Sequence, residues 1–154
     1  MEGISISNED LRGEEGNMIE ILSTDWINKF IEVLNSDDAY AERAKHFSGL
    51  ISLEILPSEG VTKSKHVLLR LEDGKCRYGK LVGTLKNRKP DCTISGPYST
   101  WVDVVKGESE LLKGLFGGDF KIKGEMRVKR KIWMENLRAI YEFERIMRST
   151  QAKL

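Results

Sequence analysis

Two histidines, two cysteines and three prolines in 154 residues leave most catalytic and metal chemistries short of raw material. Cys76 and Cys92 lie far apart and form no Cys-x-x-Cys pair, so neither a zinc knuckle nor a dithiol redox motif is present. Both fall in predicted strands, where reduced, partly buried thiols are the expectation. His46 and His66 neighbour no further ligand cluster, and no metal site is expected. The chain has no Gly-x-Ser-x-Gly elbow, and neither cysteine sits in a nucleophile signature. No Gly-Lys-Ser/Thr follows the glycines of GLFGGDFKIKG, which lead into a predicted strand instead of a helix, so they are not a phosphate loop. Apolar runs stay well short of the ~20 residues that a spanning helix needs. The opening MEGISISNEDLRGEEGN carries no basic region ahead of an apolar one, so it is not expected to be a signal peptide. A cytoplasmic protein with no catalytic residue, metal or cofactor is the expectation from these absences.

Charge of either sign is nearly balanced overall, at +1, but not along the chain. Residues 1–20 hold six acids against Arg12 alone, leaving 24 basic and 18 acidic residues, about +6, for the remainder. Two basic clusters stand out: Lys86, Arg88 and Lys89, and Arg127 with Lys129, Arg130 and Lys131. An ordinary solvated surface is their commonest meaning; transient contact with an anionic membrane surface is their functional one. Nucleic acid is not expected as a partner, because the aromatics fall on inward faces and not among the basic residues.

Periodicity organises the rest. Residues 1–17 are polar and acidic and read as a flexible arm; Met18 would serve as an alternative start. Residues 18–149 form the expected domain and 150–154 a tail. Trp26, Ile27, Phe30, Ile31 and Leu34 lie on one helical face after Ser23, Thr24 or Asp25 as a cap. Ser36 offers a cap for a second helix through Phe47. Ile51, Leu53 and Ile55 alternate with Ser52 and Glu54, and Val67, Leu69 and Leu71 with Leu68, Arg70 and Glu72. Asp73-Gly74 is a hairpin signal, and the return strand runs through Cys76 and Leu81 to about Leu85. A last helix, Lys131 to Met147, carries Trp133, Leu137, Ile140 and Tyr141 in one stripe, widened by Ile132, Phe143 and Ile146. Open strand edges would allow a homodimer.

The segment Asp91–Val128, DCTISGPYSTWVDVVKGESELLKGLFGGDFKIKGEMRV, holds the densest pattern. A strand leads to a helix capped by Ser99 or Thr100 and ended at Gly107. A second helix over about Ser109–Phe116 carries Leu111, Leu112, Leu115 and Phe116 in only about two turns. Gly117 and Gly118 stop it. From Phe120 onward Ile122, Gly124, Met126 and Val128 alternate with Lys121, Lys123, Glu125 and Arg127, the signature of a half-buried strand. That is more apolar surface than short surface helices need for docking.

On these residues the chain resembles the sterol carrier protein family, type two. The match is sharpest over Asp91–Met126, above all in Asp91-Cys92-Thr93-Ile94-Ser95, in Gly107-Glu108, and in GGDFKIKGEM from Gly117 to Met126; element order agrees over Ile21–Met147. Departures are the GLFGGD lead-in and Glu125, where asparagine is common. The resemblance implies an α+β fold, a largely antiparallel sheet of about five strands covered on one face by helices, with an apolar tunnel between the layers.

Trp101, Val105, Leu112, Leu115, Phe116, Met126, Leu137, Ile140 and Tyr141 are the expected tunnel lining. For any one of them ordinary core packing is the commoner role; as a set they favour a pocket, mainly through what the family resemblance implies. Burial of ligand surface at roughly 25 cal/mol per Å² would hold a long chain or fused rings without a directional contact. The expected function is non-catalytic binding and transfer of a fatty acid, acyl-thioester, sterol or isoprenoid-like lipid, with the last helix as gate. The alternative is an accessory, substrate-presenting subunit of a lipid-metabolising enzyme. A third reading, an enzyme acting through residues that the sequence does not bring together, would show in a hydrolase or thioesterase screen, with activity lost on substitution of His46 or His66.

Overall fold

A computed structural model describes residues 19–58, 60–125, 127 and 137–154. Alternation in successive segments becomes three antiparallel strands: β1 (Ser48–Leu56), β2 (Lys65–Glu72) and β3 (Lys75–Val82). The hairpin between β2 and β3 turns on Asp73 and Gly74, at φ +47° and +85°. Two successive positive φ values match the right-handed twist of the strands, and glycine takes the second without strain. β4 (Cys92–Pro97) returns to the far side of β1 and pairs with it in parallel, Leu53 opposite Ile94. β5 (Lys121–Gly124) is antiparallel to β4, with Ile122 opposite Ile94. The order β3-β2-β1-β4-β5 is therefore a mixed sheet with one parallel pair. Met126 and Val128, expected on the inner face of the last strand, lie outside the described residues.

Ile51, Leu53, Ile55, Val67, Leu69, Leu71, Cys92 and Ile94 share one sheet face and are buried. The helices pack there. α1 (Thr24–Asn35) has Ser23 as its cap, the hydroxyl accepting from Trp26 N at 3.3 Å. Its buried face presents Trp26, Ile27, Phe30, Val33 and Leu34. Next come α2 (Asp38–Arg43), α3 (Tyr98–Val105), α4 (Leu111–Gly117) and α5 (Leu137–Ala152). α5 touches each of the other four described helices and is the keystone of the layer. Trp26 stacks on Phe30 at 5.5 Å, and Phe30 meets Phe143 of α5 edge to face at 5.1 Å. No described helix is long and apolar enough to cross a membrane.

Two caps differ from expectation. α3 begins at Tyr98 after Pro97, so neither Ser99 nor Thr100 caps it. Its first turn is satisfied from outside, Ser99 N donating to Ser58 Oγ at 2.9 Å. At α2 the cap is Asp37, not Ser36: Oδ1 accepts from Tyr40 N at 2.8 Å, while Ser36 Oγ donates back to Glu32 O.

Asp37 also receives Arg145 of α5 at 2.7 Å. Burial pushes its carboxyl up, but the hydrogen bonds from Arg145 and Tyr40 N outweigh that and hold it below the usual range. A depressed carboxylate stabilises the fold above the unfolded-state pKa of about 3.9, and that contribution is lost as pH falls through the folded-state value. Asp37→Ala is expected to cost about 1–2 kcal/mol at pH 7. In urea unfolding followed from pH 7 to pH 2.5, the gap between variant and wild type should narrow only below about pH 4.

Candidate functional site

The helical layer does not close fully on the sheet. Between them lies a cavity of about 60 Å³, lined from the sheet by Ile51, Leu53, Leu71 and Ile94. Helices and their flanks supply the rest: Tyr40, Ala44 and Phe47 around α2, Leu111 of α4, and Ala139, Ile140 and Phe143 of α5. The alternation of β1 and β2 turns three of these side chains inward, and the α5 positions 139, 140 and 143 share a helical face. The lining is almost wholly hydrocarbon, and burial pushes the pKa of the Tyr40 phenol above its ordinary value. Such a space has no polar partner for water and behaves as a dry hole.

The residues expected to line a tunnel are distributed around this cavity. Ile140 is in its wall. Leu112, Leu137 and Tyr141 line a groove on the outer side of the same three helices, with Arg43, Arg138 and Glu142. Leu115 is buried, whereas Phe116 is 70% and Tyr141 58% exposed. Trp101 and Val105 are buried in the core away from the cavity wall. Trp101 packs edge to face on Phe120 at 4.5 Å and donates its indole N–H to Glu54 O at 3.1 Å. Met126 lies outside the described residues. As lining, sequence reasoning overlooked Tyr40, Ala44, Phe47, Leu111, Ala139, Phe143 and the sheet residues, although the inward alternation of β1 and β2 marked the latter.

The opposite sheet face holds a grouping that resembles a hydrolase triad. Ser52 Oγ is 3.0 Å from His66 Nδ1, and Glu54 Oε2 stands 3.9 Å from His66 Nε2. The serine is fully buried, with no exposed surface for a substrate to reach. Glu54 is committed to Lys123 at 3.3 Å, and burial that would raise its pKa is outweighed by hydrogen bonds from Ser95 and Lys123. A nucleophile without access and an acid beyond hydrogen-bond reach make this a structural network that pairs buried polar groups across the sheet. Cys76 is likewise inert: burial pushes its thiol up to about 11. Among the described residues no three His, Cys, Asp or Glu side chains gather as metal ligands.

A mixed five-stranded sheet, helices on one face and an apolar hole between the layers agree with the fold that the sequence resemblance implied. The family model described as the SCP-2 sterol transfer family matches residues 27–133. The chain belongs to that family. No curated protein matches it. A crystal structure of sterol carrier protein 2 is 26% identical, with a TM-score of 0.72 over 84% of this chain and 98% of that one. A solution structure from Thermus thermophilus, described as a conserved hypothetical protein and possibly a sterol carrier protein, is 25% identical, with a TM-score of 0.73 over 85% and 90%. Domain 2 of a sterol carrier protein from Helicoverpa armigera shares the fold at 18% identity, with a TM-score of 0.53 over 81% and 87%. As a member of the SCP-2 family the chain is a lipid-binding domain of apolar specificity, built on a fold that generally does no catalysis.

Proposed function

We propose that this SCP-2 domain is a non-catalytic carrier that holds the apolar chain of a lipid between its sheet and α2, α4 and α5. The apolar cavity carries the reading. At about 60 Å³ it has the volume of about two liquid waters, well below the ~300 Å³ of a small-ligand pocket. It is the closed form of the site: a lipid enters only as the Ala139–Phe143 turn of α5 moves off the sheet. An unfilled hole of this size costs on the order of 1 kcal/mol of stability, a weakness that gives the layer a place to part.

If opening is the step that admits lipid, filling the hole stabilises the closed form and must weaken binding by the same free energy. Ala44→Val puts two methyl groups into the cavity without a polar change. It is expected to raise the unfolding temperature by a few degrees and weaken binding of a fluorescent fatty acid by about five-fold. Absence of saturable fatty-acid binding by the wild-type chain, together with no lipid in its native mass spectrum, would sink the carrier reading.

A further inference from the structure

We infer that the groove outside the cavity is a headgroup site selecting an anionic amphiphile, carboxylate or phosphate, over an uncharged one of equal chain length. The inference rests on the carrier reading above and adds the polar end of the ligand to it. The wall between groove and cavity is a single layer of helix. Arg43 faces the groove and Ala44 the cavity; Leu112 faces the groove and Leu111 the cavity. On α5, Arg138 and Tyr141 face out while Ala139, Ile140 and Phe143 face in. When that wall parts, the two spaces join, so a chain seated against the sheet leaves its head among Arg43, Arg138 and Tyr141.

The groove is about 400 Å³, ample for a carboxylate or phosphate with its water. Its charge decides the class. Among the described residues of its lining the one acid, Glu142, already accepts from Arg145 Nε at 2.6 Å, and Arg145 is shared with Asp37. Glu42, next to Arg43, is hydrogen-bonded to Lys45 at 2.8 Å. Arg43 and Arg138 are both exposed and form no ion pair with another described residue, which leaves the groove with an uncommitted positive charge. A guanidinium offers planar, paired donors that suit a carboxylate or phosphate and give an alcohol little. An uncharged lipid would gain the cavity and apolar contact with Leu112, Leu137 and Tyr141, but no charge pairing in the groove.

The test compares tetradecanoate, tetradecyl phosphate and tetradecan-1-ol at pH 8 on the full chain by displacement of a fluorescent lipid. The two anions are expected to bind about ten-fold more tightly than the alcohol. Arg43→Gln with Arg138→Gln should bring them down to the alcohol's affinity while leaving the alcohol unchanged; Arg43→Lys with Arg138→Lys should keep most of the preference. The tighter anion identifies the headgroup. Equal binding of acid and alcohol by the wild type, or a preference that survives the glutamine pair, overturns the headgroup site and leaves the carrier intact. Failure of all three lipids to displace the probe overturns the carrier reading itself.

Discussion

Glu144→Ala is expected to remove about 3–5 kcal/mol of folding stability, a large share of the total for a domain of this size. Glu144 is only 3% exposed, although it stands on a helix surface in sequence. One carboxylate oxygen accepts from Leu111 N, the first residue of α4, at 2.6 Å; the other meets Arg148 at 3.0 Å. Arg148 in turn donates to Val104 O at 3.0 Å and Ser109 O at 2.5 Å. Two side chains one turn apart on α5 thus satisfy the end of α3 and the start of α4, whose own cap residue, Glu110, provides no side-chain bond. Alanine leaves Leu111 N without its acceptor and a half-buried guanidinium without its counter-charge. Glu144→Gln keeps an oxygen for Leu111 but turns an amide N–H toward Arg148, so it should cost about 2 kcal/mol. Urea unfolding gives both values, and hydrogen exchange should show the first amides of α4 opening ahead of the sheet. A loss under about 1 kcal/mol for the alanine variant would show that the knot is incidental.

The same knot explains which part of α5 can serve as a roof. Arg145 and Arg148 tie residues 144–148 to α2 and to the α3–α4 corner. The turn over the cavity, Ala139 to Phe143, is held by apolar contact and by Glu142 through Arg145. Apolar contacts have no fixed direction and re-form after sliding, whereas the Glu144–Arg148 geometry does not. Under the proposed carrier function, opening would hinge at the knot.

Most of the fold was legible because it is written in short-range patterns. Ile51-Leu53-Ile55 and Val67-Leu69-Leu71 declare strands with one buried face, and Asp73-Gly74 declares the turn that follows them. Ser23, one of the three cap candidates, caps α1. Pairing across distance is not encoded that way, so the parallel partnership of β1 and β4 was not visible in their alternation. α5 shows a second limit. The expected stripe of Leu137, Ile140 and Tyr141, widened by Phe143 and Ile146, holds two residues of the buried set, Phe143 and Ile146, and leaves out Ala139, Glu144, Met147 and Thr150. Alanine and threonine score weakly as apolar, and a glutamate is assigned to solvent unless its partner is known. The candidate site suffered from both. Its inward sheet residues were evident, but a gap between layers depends on how far α2, α4 and α5 stand from the sheet. Periodicity carries no such distance.

Phe120→Ala should cost about 3–5 kcal/mol, and its coupling to Gly114 should reverse the sign of a second substitution. The Phe120 ring is 1% exposed and lies in a slot between two glycines. A Cβ added to Gly96 of β4 would stand 2.6 Å from its Cδ1, and one added to Gly114 of α4 would stand 2.6 Å from its Cδ2. The ring cannot retreat from one neighbour without striking the other, and Trp101 closes the remaining side. Gly114 lies within a helix and carries no positive φ, so alanine there would by itself gain about 1 kcal/mol. In the wild type the clash with a confined ring exceeds that gain, and Gly114→Ala should be destabilising by about 1–2 kcal/mol. With Phe120→Ala in place the new methyl enters vacated space, and the same substitution should become stabilising by up to about 1 kcal/mol. A double-mutant cycle in urea reads the coupling directly. If Gly114→Ala has the same effect in both backgrounds, the two glycines do not form the slot that seats Phe120. The small residues of GLFGGDF would then serve the turn alone. A sign reversal instead shows that Gly114 is glycine because an aromatic ring occupies the place of its side chain.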